Sequence, residues 1–592
     1  MSKVSRRTFL ASTAVAAAST ALPRRAVADT PAATPAPPAT TGFGPPTPVP
    51  AGVTLKTIEE GEKLAVVQFR PEQRKLLLDS LGDQLAWPVQ RRKTPLPQSL
   101  APASKFSPLL PGMAFPSGKS ALVRPKAAAS PVPKTDDDLA FASVAELSRW
   151  LHARQLTSTR LTQACLDRLE RLQPKLLCTI TLAKESALKA AAEADRELAA
   201  GKYRGPLHGV PFGAKDLLDS AGLATTWGAE PFRSRVPERD AAVLARLKAA
   251  GAILVAKLSL GALAMNDVWF GGQTKNPWLL DEGSSGSSAG SASAVAAGCV
   301  PFAIGSETLG SIVSPSIRCG VTGLRPTFGR VPRTGAMPLC WTLDKLGPMA
   351  RRVEDVALVL AALDGADPGD PASVSAPLVI DLSLGTRRLK VGYDPAWLAD
   401  KDAVPEDKAA LELLRGAGVE LVEIATPKLP YDSMLPILFA ESAASFEELT
   451  LSHQDDELKM QVADAWPNLW RSAHLISAVE LVQADRLRRV VMEAWAKIFD
   501  GVDALAGPAL AGPMLTITNF TGHPCLTLRT GFRDLAEVRS DFAQATPQKL
   551  SPKRRVPHGL SLWARLYDEG TLLRLGLALE EKAGVWRERP AI

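Results

Sequence analysis

Histidine, the most common general base in hydrolytic enzymes, is scarce in this sequence. The 592 residues contain six, at positions 152, 208, 453, 474, 523 and 558. None lies beside a serine in a recognisable signature, so the sequence does not indicate an ordinary Ser–His hydrolase. Gly286–Gly290 does fit the GxSxG nucleophile-elbow pattern around Ser288, but the preceding Asn276–Gly283 is a poor strand candidate. We therefore interpret that match as accidental in a Gly/Ser-rich run.

Metal and nucleotide motifs are also missing. The six cysteines lie far apart, without a CxxC pair or a Cys/His cluster, which is typical of buried free thiols. There is no HExxH, no Walker loop and no GxGxxG before a helix. The sequence therefore predicts no metal and no cofactor.

The positive charge is concentrated at the N-terminus. The net charge is +7, and five of the basic residues lie within residues 1–28, which contain no acidic residue. The rest of the chain is close to neutral, so we expect no nucleic-acid partner.

Residues 1–28 have the pattern of an export signal. Arg6 and Arg7 precede Phe9-Leu10, an Ala-rich apolar run follows, and Ala26-Val27-Ala28 offers a cleavage site. The paired arginines resemble a twin-arginine signal, which would make the twin-arginine export machinery a partner and the location periplasmic or secreted. The apolar run is too short and Ala-rich for a stable membrane anchor.

Residues 29–135 form a Pro-rich extension, which we expect to be partly disordered. Within it, Pro71–Trp87 has a leucine every four residues and predicts one short helix. Whether the extension is a pro-segment or a packing arm stays open at this point.

Residues 136–592 have the pattern of one large α/β domain, with apolar strands alternating with amphipathic helices. A capping box at Ser143-x-x-Glu146 predicts a helix start, and Pro174 predicts the end of the next helix. Ile476–Pro508 predicts a long helix with Val479, Val482, Val490, Val491, Trp495 and Phe499 facing inward.

The most informative stretch is Gly283–Arg330. Gly286–Gly298 reads GSSAGSASAVAAG, and Gly305–Arg330 reads GSETLGSIVSPSIRCGVTGLRPTFGR. Two clusters of small residues joined by an apolar segment suggest a built cavity, because glycine lets the backbone approach a ligand closely. The apolar segment is too hydrophobic for a flexible Gly/Ser linker.

These two segments resemble the hallmark segments of the amidase signature family. The upstream segment Pro206–Asp216, which reads PLHGVPFGAKD, resembles the family's GxPxxxKD segment, and the resemblance extends from about Asp136 to the C-terminus. It implies a single domain with a mixed central β-sheet flanked by helices. It also implies an amidohydrolase acting on a small-molecule amide, without a cofactor.

The resemblance implies a site as well. Lys215 would be the general base, Ser287 a middle member held by a cis peptide, and Ser311 the nucleophile. The backbone N–H groups of Thr308, Leu309, Gly310 and Ser311 would form the oxyanion hole. A buried lysine can lose its charge, because desolvation penalises the ammonium form.

The sequence departs from the family pattern at four positions. Ala289 and Leu309 stand where the family usually has Gly, Glu307 stands where it has Asp, and Val313 stands where it has Arg. Two alternatives therefore stay open, an inactive relative that acts as a binding protein and the A subunit of a tRNA-dependent amidotransferase. The substrate is not predicted, and a homodimer is left open.

Overall fold

The computed structural model of the chain describes residues 47–94, 96–125, 130–541 and 548–592. The predicted export signal, residues 1–28, and the start of the Pro-rich extension up to residue 46 lie outside the described residues. The contacts divide the chain into two compact units. One comprises the described residues of Met1–Glu62 and Gln68–Thr94, and the other those of Lys63–Val67 and Pro95–Ile592.

The smaller unit holds most of α1 (Leu55–Ala65) and all of α2 (Pro71–Arg91). Arg74 on α2 bonds Glu59 at 2.9 Å and Glu62 at 2.7 Å on α1, which pins the two helices together. The predicted helix from Pro71 is confirmed and continues beyond Trp87 to Arg91.

The larger unit combines helices with one large sheet. Its helices are α3 (Asp136–Leu139), α4 (Val144–His152), α5 (Ser158–Leu176), α6 (Lys184–Ala199), α7 (Ala242–Ala249), α8 (Ala289–Ala296), α9 (Val313–Cys319), α10 (Val353–Leu363), α11 (Pro405–Gly416), α12 (Leu435–Ser445), α13 (Glu447–Leu451), α14 (Trp466–Ala473), α15 (Ala478–Gly501), α16 (Met514–Thr521) and α17 (Glu569–Ala583). Its strands are β1 (Ala121–Val123), β2 (Thr179–Leu182), β3 (Pro211–Lys215), β4 (Ile253–Leu258), β5 (Val268–Trp269), β6 (Gly272–Gln273), β7 (Lys275–Asn276), β8 (Leu279–Gly283), β9 (Phe302–Glu307), β10 (Thr322–Arg325), β11 (Lys345–Ala350), β12 (Val379–Asp381), β13 (Lys390–Tyr393), β14 (Glu420–Glu423), β15 (Ala504–Pro508), β16 (Cys525–Glu537) and β17 (Lys549–Ala564).

Eleven of these strands form one mixed sheet in the order β14-β13-β15-β17-β16-β10-β11-β9-β3-β4-β2. β3, the third strand from the β2 edge, runs parallel to both β9 and β4, and β11 runs antiparallel to β9. The predicted mixed α/β architecture is confirmed.

The parallel pair β3 and β9 determines where functional side chains can meet. Because β3 and β9 are parallel, their carboxyl ends lie at the same edge, with Lys215 ending one and Glu307 ending the other. Helix α8 begins directly after Ser288, and α9 begins at Val313. Crevices at the carboxyl ends of parallel strands are frequent ligand sites in α/β proteins.

Several local predictions can be compared with the structure. The capping box at Ser143 is present, with its hydroxyl accepting from the Glu146 N–H at 3.2 Å. Helix α5 does not end at Pro174 but continues to Leu176, because a proline in the last turn removes only one helical hydrogen bond. A short strand, β8, does precede the serine-rich segment, in contrast to the prediction for Asn276–Gly283.

Helix α15 is present, but half of its predicted inward face is wrong. Val479, Val482 and Val490 are 66%, 60% and 48% exposed, whereas the other three predicted positions are buried. The true buried stripe also includes Arg488, which a hydrophobicity pattern cannot find. This arginine is turned inward by hydrogen bonds to backbone carbonyls.

Residues 96–125 belong to the larger unit, whereas the sequence predicts a domain start at Asp136. Within this segment β1 pairs in parallel with β12, and Arg124 bonds Glu354 at 2.8 Å. Among the described helices, none is long and apolar enough to cross a membrane.

Candidate active site

Lys215 lies at the end of β3 with no solvent exposure. Its Nζ is 2.7 Å from the Ser287 Oγ, 2.9 Å from the Ser306 Oγ and 3.2 Å from the Ser288 Oγ. A fourth, longer contact reaches the Ser306 carbonyl at 3.5 Å. The amine is therefore surrounded by hydroxyls and a carbonyl, none of which carries a charge.

The environment of Lys215 favours the neutral amine. Burial holds the pKa of Lys215 well below its usual range, although the carboxylates of Asp344 and Glu307 act in the opposite direction. Asp216 faces away from Lys215 and pairs with Lys257 at 2.9 Å, as expected for neighbours on a strand. The adjacent carboxylate is thus engaged elsewhere.

Ser287 and Ser288 lie between β8 and α8. The peptide bond between Gly286 and Ser287 is cis, the geometry that the family resemblance implies. The Ser288 Oγ donates to the Ser306 carbonyl and accepts from the Ser306 N–H, both at 3.1 Å. The hydroxyl of Ser288 therefore links β9 to the start of α8, in addition to its 3.2 Å contact with the Lys215 Nζ.

Ser311 lies on the loop between β9 and α9, next to the serine pair. Its carbonyl accepts from the Ser288 N–H at 3.1 Å, which brings the loop against Ser287 and Ser288. Within the ranges that the structure describes, its hydroxyl has no hydrogen-bond partner. The structure thus joins Lys215 to Ser287 directly and brings Ser311 alongside through its backbone.

The loop that carries Ser311 presents consecutive backbone donors. In the part of the chain that the structure describes, the N–H groups of residues 308–311 have no backbone acceptor. Gly310 has φ +92°, whereas Leu309 does not have a positive φ, so the left-handed position falls on a glycine. The leucine at position 309 is therefore accommodated without backbone strain, and its side chain packs against an apolar cluster that includes Val313.

Glu307 fixes both the start and the end of this loop. Its Oε2 accepts from the N–H groups of Ile312 at 2.8 Å and Val313 at 2.9 Å, and its Oε1 bonds Arg325 at 2.6 Å and Asn519 at 2.9 Å. Burial alone would raise the pKa of Glu307, but the charges on Arg325 and Lys345 and these hydrogen bonds lower it to about 2. The glutamate therefore stays ionised and clamps the loop.

A second carboxylate holds the loop from the other side. Asp344 accepts from the Thr308 hydroxyl at 2.6 Å, and its other oxygen accepts from the N–H groups of Leu339 and Cys340. Burial raises the pKa of Asp344, although these hydrogen bonds oppose the rise. Sequence reasoning missed Asp344 and Asn519, which reach the site from outside the hallmark segments, and gave no role to Arg325, which lies within Gly305–Arg330.

No group of three or more His, Cys, Asp or Glu side chains that could hold a metal ion occurs within the described ranges. His208 has a structural position, since its Nδ1 accepts from the Arg204 N–H at 3.2 Å and its Nε2 lies 3.2 Å from Glu197. The carboxyl ends of β3 and β9 thus bring together a buried amine, several hydroxyls and a row of backbone N–H donors.

The chain is similar to known proteins along most of its length. The family model described as Amidase matches residues 160–573. The A subunit of glutamyl-tRNA(Gln) amidotransferase from Halorhodospira halophila is 34% identical, over 73% of this chain and 96% of that protein. The corresponding subunit from Geobacter metallireducens is 33% identical, over 76% and 98%.

Among solved structures, the native peptide amidase from Stenotrophomonas maltophilia is similar, with a TM-score of 0.64 and 30% identity. The similarity covers 76% of this chain and 98% of that one. An aryl acylamidase with 22% identity and a TM-score of 0.64 shares the fold. The chain therefore belongs to the amidase signature family, whose members act on carbon–nitrogen amide bonds as hydrolases or amidotransferases.

Proposed function

We propose that this protein is an exported amidase that hydrolyses a carboxylic amide through an acyl-enzyme on Ser311. In this proposal Ser287 relays protons and Lys215 is the general base. The observation that carries the proposal is the 2.7 Å contact between the Lys215 Nζ and the Ser287 Oγ in a buried, serine-lined environment. A lysine placed in this way can accept a proton near neutral pH.

The reaction follows from this order of groups. The Ser311 Oγ attacks the carbonyl carbon and passes its proton to Ser287, while the proton of Ser287 moves to the Lys215 Nζ. The negative charge that develops on the carbonyl oxygen is stabilised by the N–H groups of Thr308, Leu309, Gly310 and Ser311. The carbon–nitrogen bond then breaks, and the leaving nitrogen takes the proton back through Ser287.

Water completes the cycle. It attacks the ester on Ser311, gives its proton to the same relay, and releases the carboxylic acid. The ester bond breaks and the proton returns to the Ser311 Oγ, so the enzyme is regenerated. No redox partner or cofactor is needed for this balance.

A serine-reactive fluorophosphonate probe tests the assignment. We expect the wild type to be labelled on Ser311, and the label to be lost in Ser311→Ala and strongly reduced in Lys215→Met. Ser291→Ala is the matched control, because this buried serine of α8 donates to the Ile304 carbonyl of β9 at 3.1 Å and is not in the relay. Labelling that persists in Ser311→Ala, or a labelled peptide containing Ser288, would overturn the proposal. A wild type that is never labelled would favour the binding-protein alternative.

The proposal does not specify the acyl group or the amine of the substrate. Ammonia release from a panel of primary amides, with aryl, peptide C-terminal and aliphatic acyl groups, would identify the substrate class. Similarity to a peptide amidase places peptide C-terminal amides in that panel.

The export part of the proposal is supported by residues 1–28 alone. Replacing Arg6 and Arg7 by lysines should leave the protein in the cytoplasm if the twin-arginine machinery exports it. Cell fractionation with an activity assay would measure this, and unchanged export would contradict it.

An alternative function is supported by the similarity to amidotransferase A subunits. That function would require glutamine as the amide donor and a charged tRNA as the acceptor. Glutamine-dependent ammonia release that increases with misacylated tRNA would favour it. The export signal argues against it, because charged tRNA is cytoplasmic.

A further inference from the structure

The segment 96–125, which we call the strap, lies across the larger unit ahead of the family-model match that begins at residue 160. It contacts several distant segments. Gln98 reaches the Ser445 Oγ at 3.4 Å, Lys105 reaches the Pro371 carbonyl at 3.3 Å, and β1 pairs with β12. These contacts tie the strap to the rest of the larger unit at three points, although most of its residues are exposed.

One residue of the strap covers a buried charge. The ring of Phe106 lies against the guanidinium of Arg488, with 3.3 Å between the Arg488 Cζ and the ring centroid. Phe106 also makes an edge contact with Phe328, at 5.1 Å between ring centroids. Arg488 is only 1% exposed, and burial lowers its pKa to about 10. An aromatic face over a desolvated guanidinium is a favourable contact and also excludes water.

The covered guanidinium joins two segments that hold the Ser311 loop. Its Nη2 donates to the Thr342 carbonyl at 2.8 Å, and its Nη1 donates to the Thr342 hydroxyl at 3.1 Å. Its Nε donates to the Phe520 carbonyl at the end of α16, at 2.6 Å.

From Thr342 the contacts continue to the start of the loop. Thr342 lies in the segment 339–344, whose Asp344 accepts from the Thr308 hydroxyl at 2.6 Å. Glu441 secures the same segment by accepting from the N–H and hydroxyl of Thr342 at 2.9 and 2.7 Å.

From Phe520 the contacts continue to the end of the loop. The neighbouring residue Asn519 donates to Glu307 at 2.9 Å, and Glu307 holds the N–H groups of Ile312 and Val313. In addition, the Leu515 side chain on α16 is the nearest neighbour of Gly310, 3.1 Å from where a β-carbon would stand. Both ends of the loop are thus linked to one guanidinium.

We propose that Phe106 and Arg488 are positioning residues that hold the Thr308–Ser311 loop in register, so that the strap is a working part of the catalytic unit. The proposal rests on the proposed function, because it assigns that loop to oxyanion binding. It also favours a packing arm over a removable pro-segment for residues 96–125. A misplacement of catalytic groups by about 1 Å can cost on the order of a hundredfold in rate.

Phe106→Ala in the full chain tests this inference, with Phe106→Tyr as the conservative variant. We expect kcat to fall on the order of tenfold or more in Phe106→Ala while KM changes by less than about twofold, because the loop and not the substrate pocket is disturbed. Phe106→Tyr keeps the ring and should retain near wild-type kcat. The rate constant for fluorophosphonate inactivation should fall in parallel with kcat.

Phe115→Ala is the matched control, since this strap residue packs on Tyr567, with 5.1 Å between ring centroids, and within the described residues its ring makes no contact with Arg488. It should keep wild-type kcat even if its melting temperature falls. If Phe106→Ala fails to fold, Arg488→Lys tests the same link, because lysine keeps the charge and loses the fork of donors.

Two results would overturn the proposal. They are wild-type kcat in a folded Phe106→Ala or Arg488→Lys variant, and an equal fall of kcat in Phe106→Ala and Phe115→Ala. Probe labelling of Ser311→Ala, measured alongside, separates the two proposals. If Ser311→Ala stays labelled, the proposed function fails, whatever the effect of Phe106→Ala on kcat.

Discussion

Replacing Glu307 by glutamine should destabilise the protein in a pH-dependent way. The carboxylate has no solvent exposure and accepts four hydrogen bonds, one of them from the buried Arg325. The neutral amide of glutamine cannot balance the positive charge of the Arg325 guanidinium, and its NH₂ group cannot accept a hydrogen bond. Breaking a buried ion pair by removing one partner typically costs about 3–5 kcal/mol. We expect a loss of this size in the free energy of unfolding of Glu307→Gln at pH 7.

The sign of the pH dependence follows from the depressed pKa of Glu307. A carboxyl whose pKa falls from its ordinary 4.5 to about 2 on folding contributes roughly 3 kcal/mol at neutral pH. This contribution is fully present above about pH 5 and is lost as the pH falls towards 2. Because glutamine has no such titration, the difference between wild type and variant should narrow by about 2 kcal/mol between pH 7 and pH 3.

Guanidinium chloride unfolding at several pH values, followed by tryptophan fluorescence, would measure this difference. Glu588→Gln is the control, because Glu588 and Arg555 form a surface pair with side chains 42% and 55% exposed. Such a pair contributes up to about 1 kcal/mol. The reasoning would be refuted by a Glu307→Gln variant no less stable than Glu588→Gln. It would also be refuted if the difference in free energy of unfolding between wild type and Glu307→Gln stayed constant from pH 7 to pH 3.

Three further substitutions test the site. Lys215→Met removes a buried amine and keeps its length, so the melting temperature should hold while kcat falls about a thousandfold, measured by ammonia release. Gly310→Ala places a side chain at φ +92° and 3.1 Å from Leu515, so both kcat and thermal stability should fall, with a strain of about 1–3 kcal/mol. Thr308→Val removes the 2.6 Å hydrogen bond to the half-buried Asp344 and should cost about 1 kcal/mol in chemical denaturation. Unchanged stability in Thr308→Val would contradict the clamp on the loop.

Much of the candidate site could be predicted because its members lie in contiguous segments that resemble the hallmark segments of the family. Ser287 and Ser311 each belong to such a Gly/Ser cluster, and Lys215 belongs to the upstream segment, so the resemblance pointed to each position. Their catalytic roles stay predictions. Hydrophobic periodicity predicted the α/β class and helices α2, α4, α5 and α15, whereas the mixed sheet was implied by the family resemblance.

The polar contacts that hold the loop could not be predicted, since they depend on tertiary packing. Glu307 meets Asn519 and Arg325 across 212 and 18 residues of sequence. Arg488 illustrates the same limit, because a charged residue on an amphipathic helix is ordinarily assigned to the exposed face. Side-chain polarity alone does not show which backbone carbonyls accept from a side chain, so the pattern gives no sign of Arg488 and places Val479 and Val482 inward.

The pair of Lys215 and Asp216 shows why two adjacent charges can have separate roles, and it yields a last prediction. Asp216 accepts from Lys257 at 2.9 Å and from the N–H and hydroxyl of Thr226, all buried on the face of β3 away from the serines. Lys257→Met would leave Asp216 as an unpaired buried carboxylate, so we expect a loss of about 3–5 kcal/mol in the free energy of unfolding. Because burial raises the pKa of Asp216, this loss should shrink when the carboxyl becomes protonated at acidic pH.

The double variant Asp216→Asn/Lys257→Met removes both charges and should recover much of that loss, as a double-mutant cycle in chemical denaturation would show. In the same variants kcat should stay close to wild type, since neither side chain touches the Lys215 amine. A folded Lys257→Met variant with the kcat of Lys215→Met would mean that the two faces of β3 are not independent. The neutral state of Lys215 would then depend on the Asp216–Lys257 pair and not on the serine-lined cavity alone.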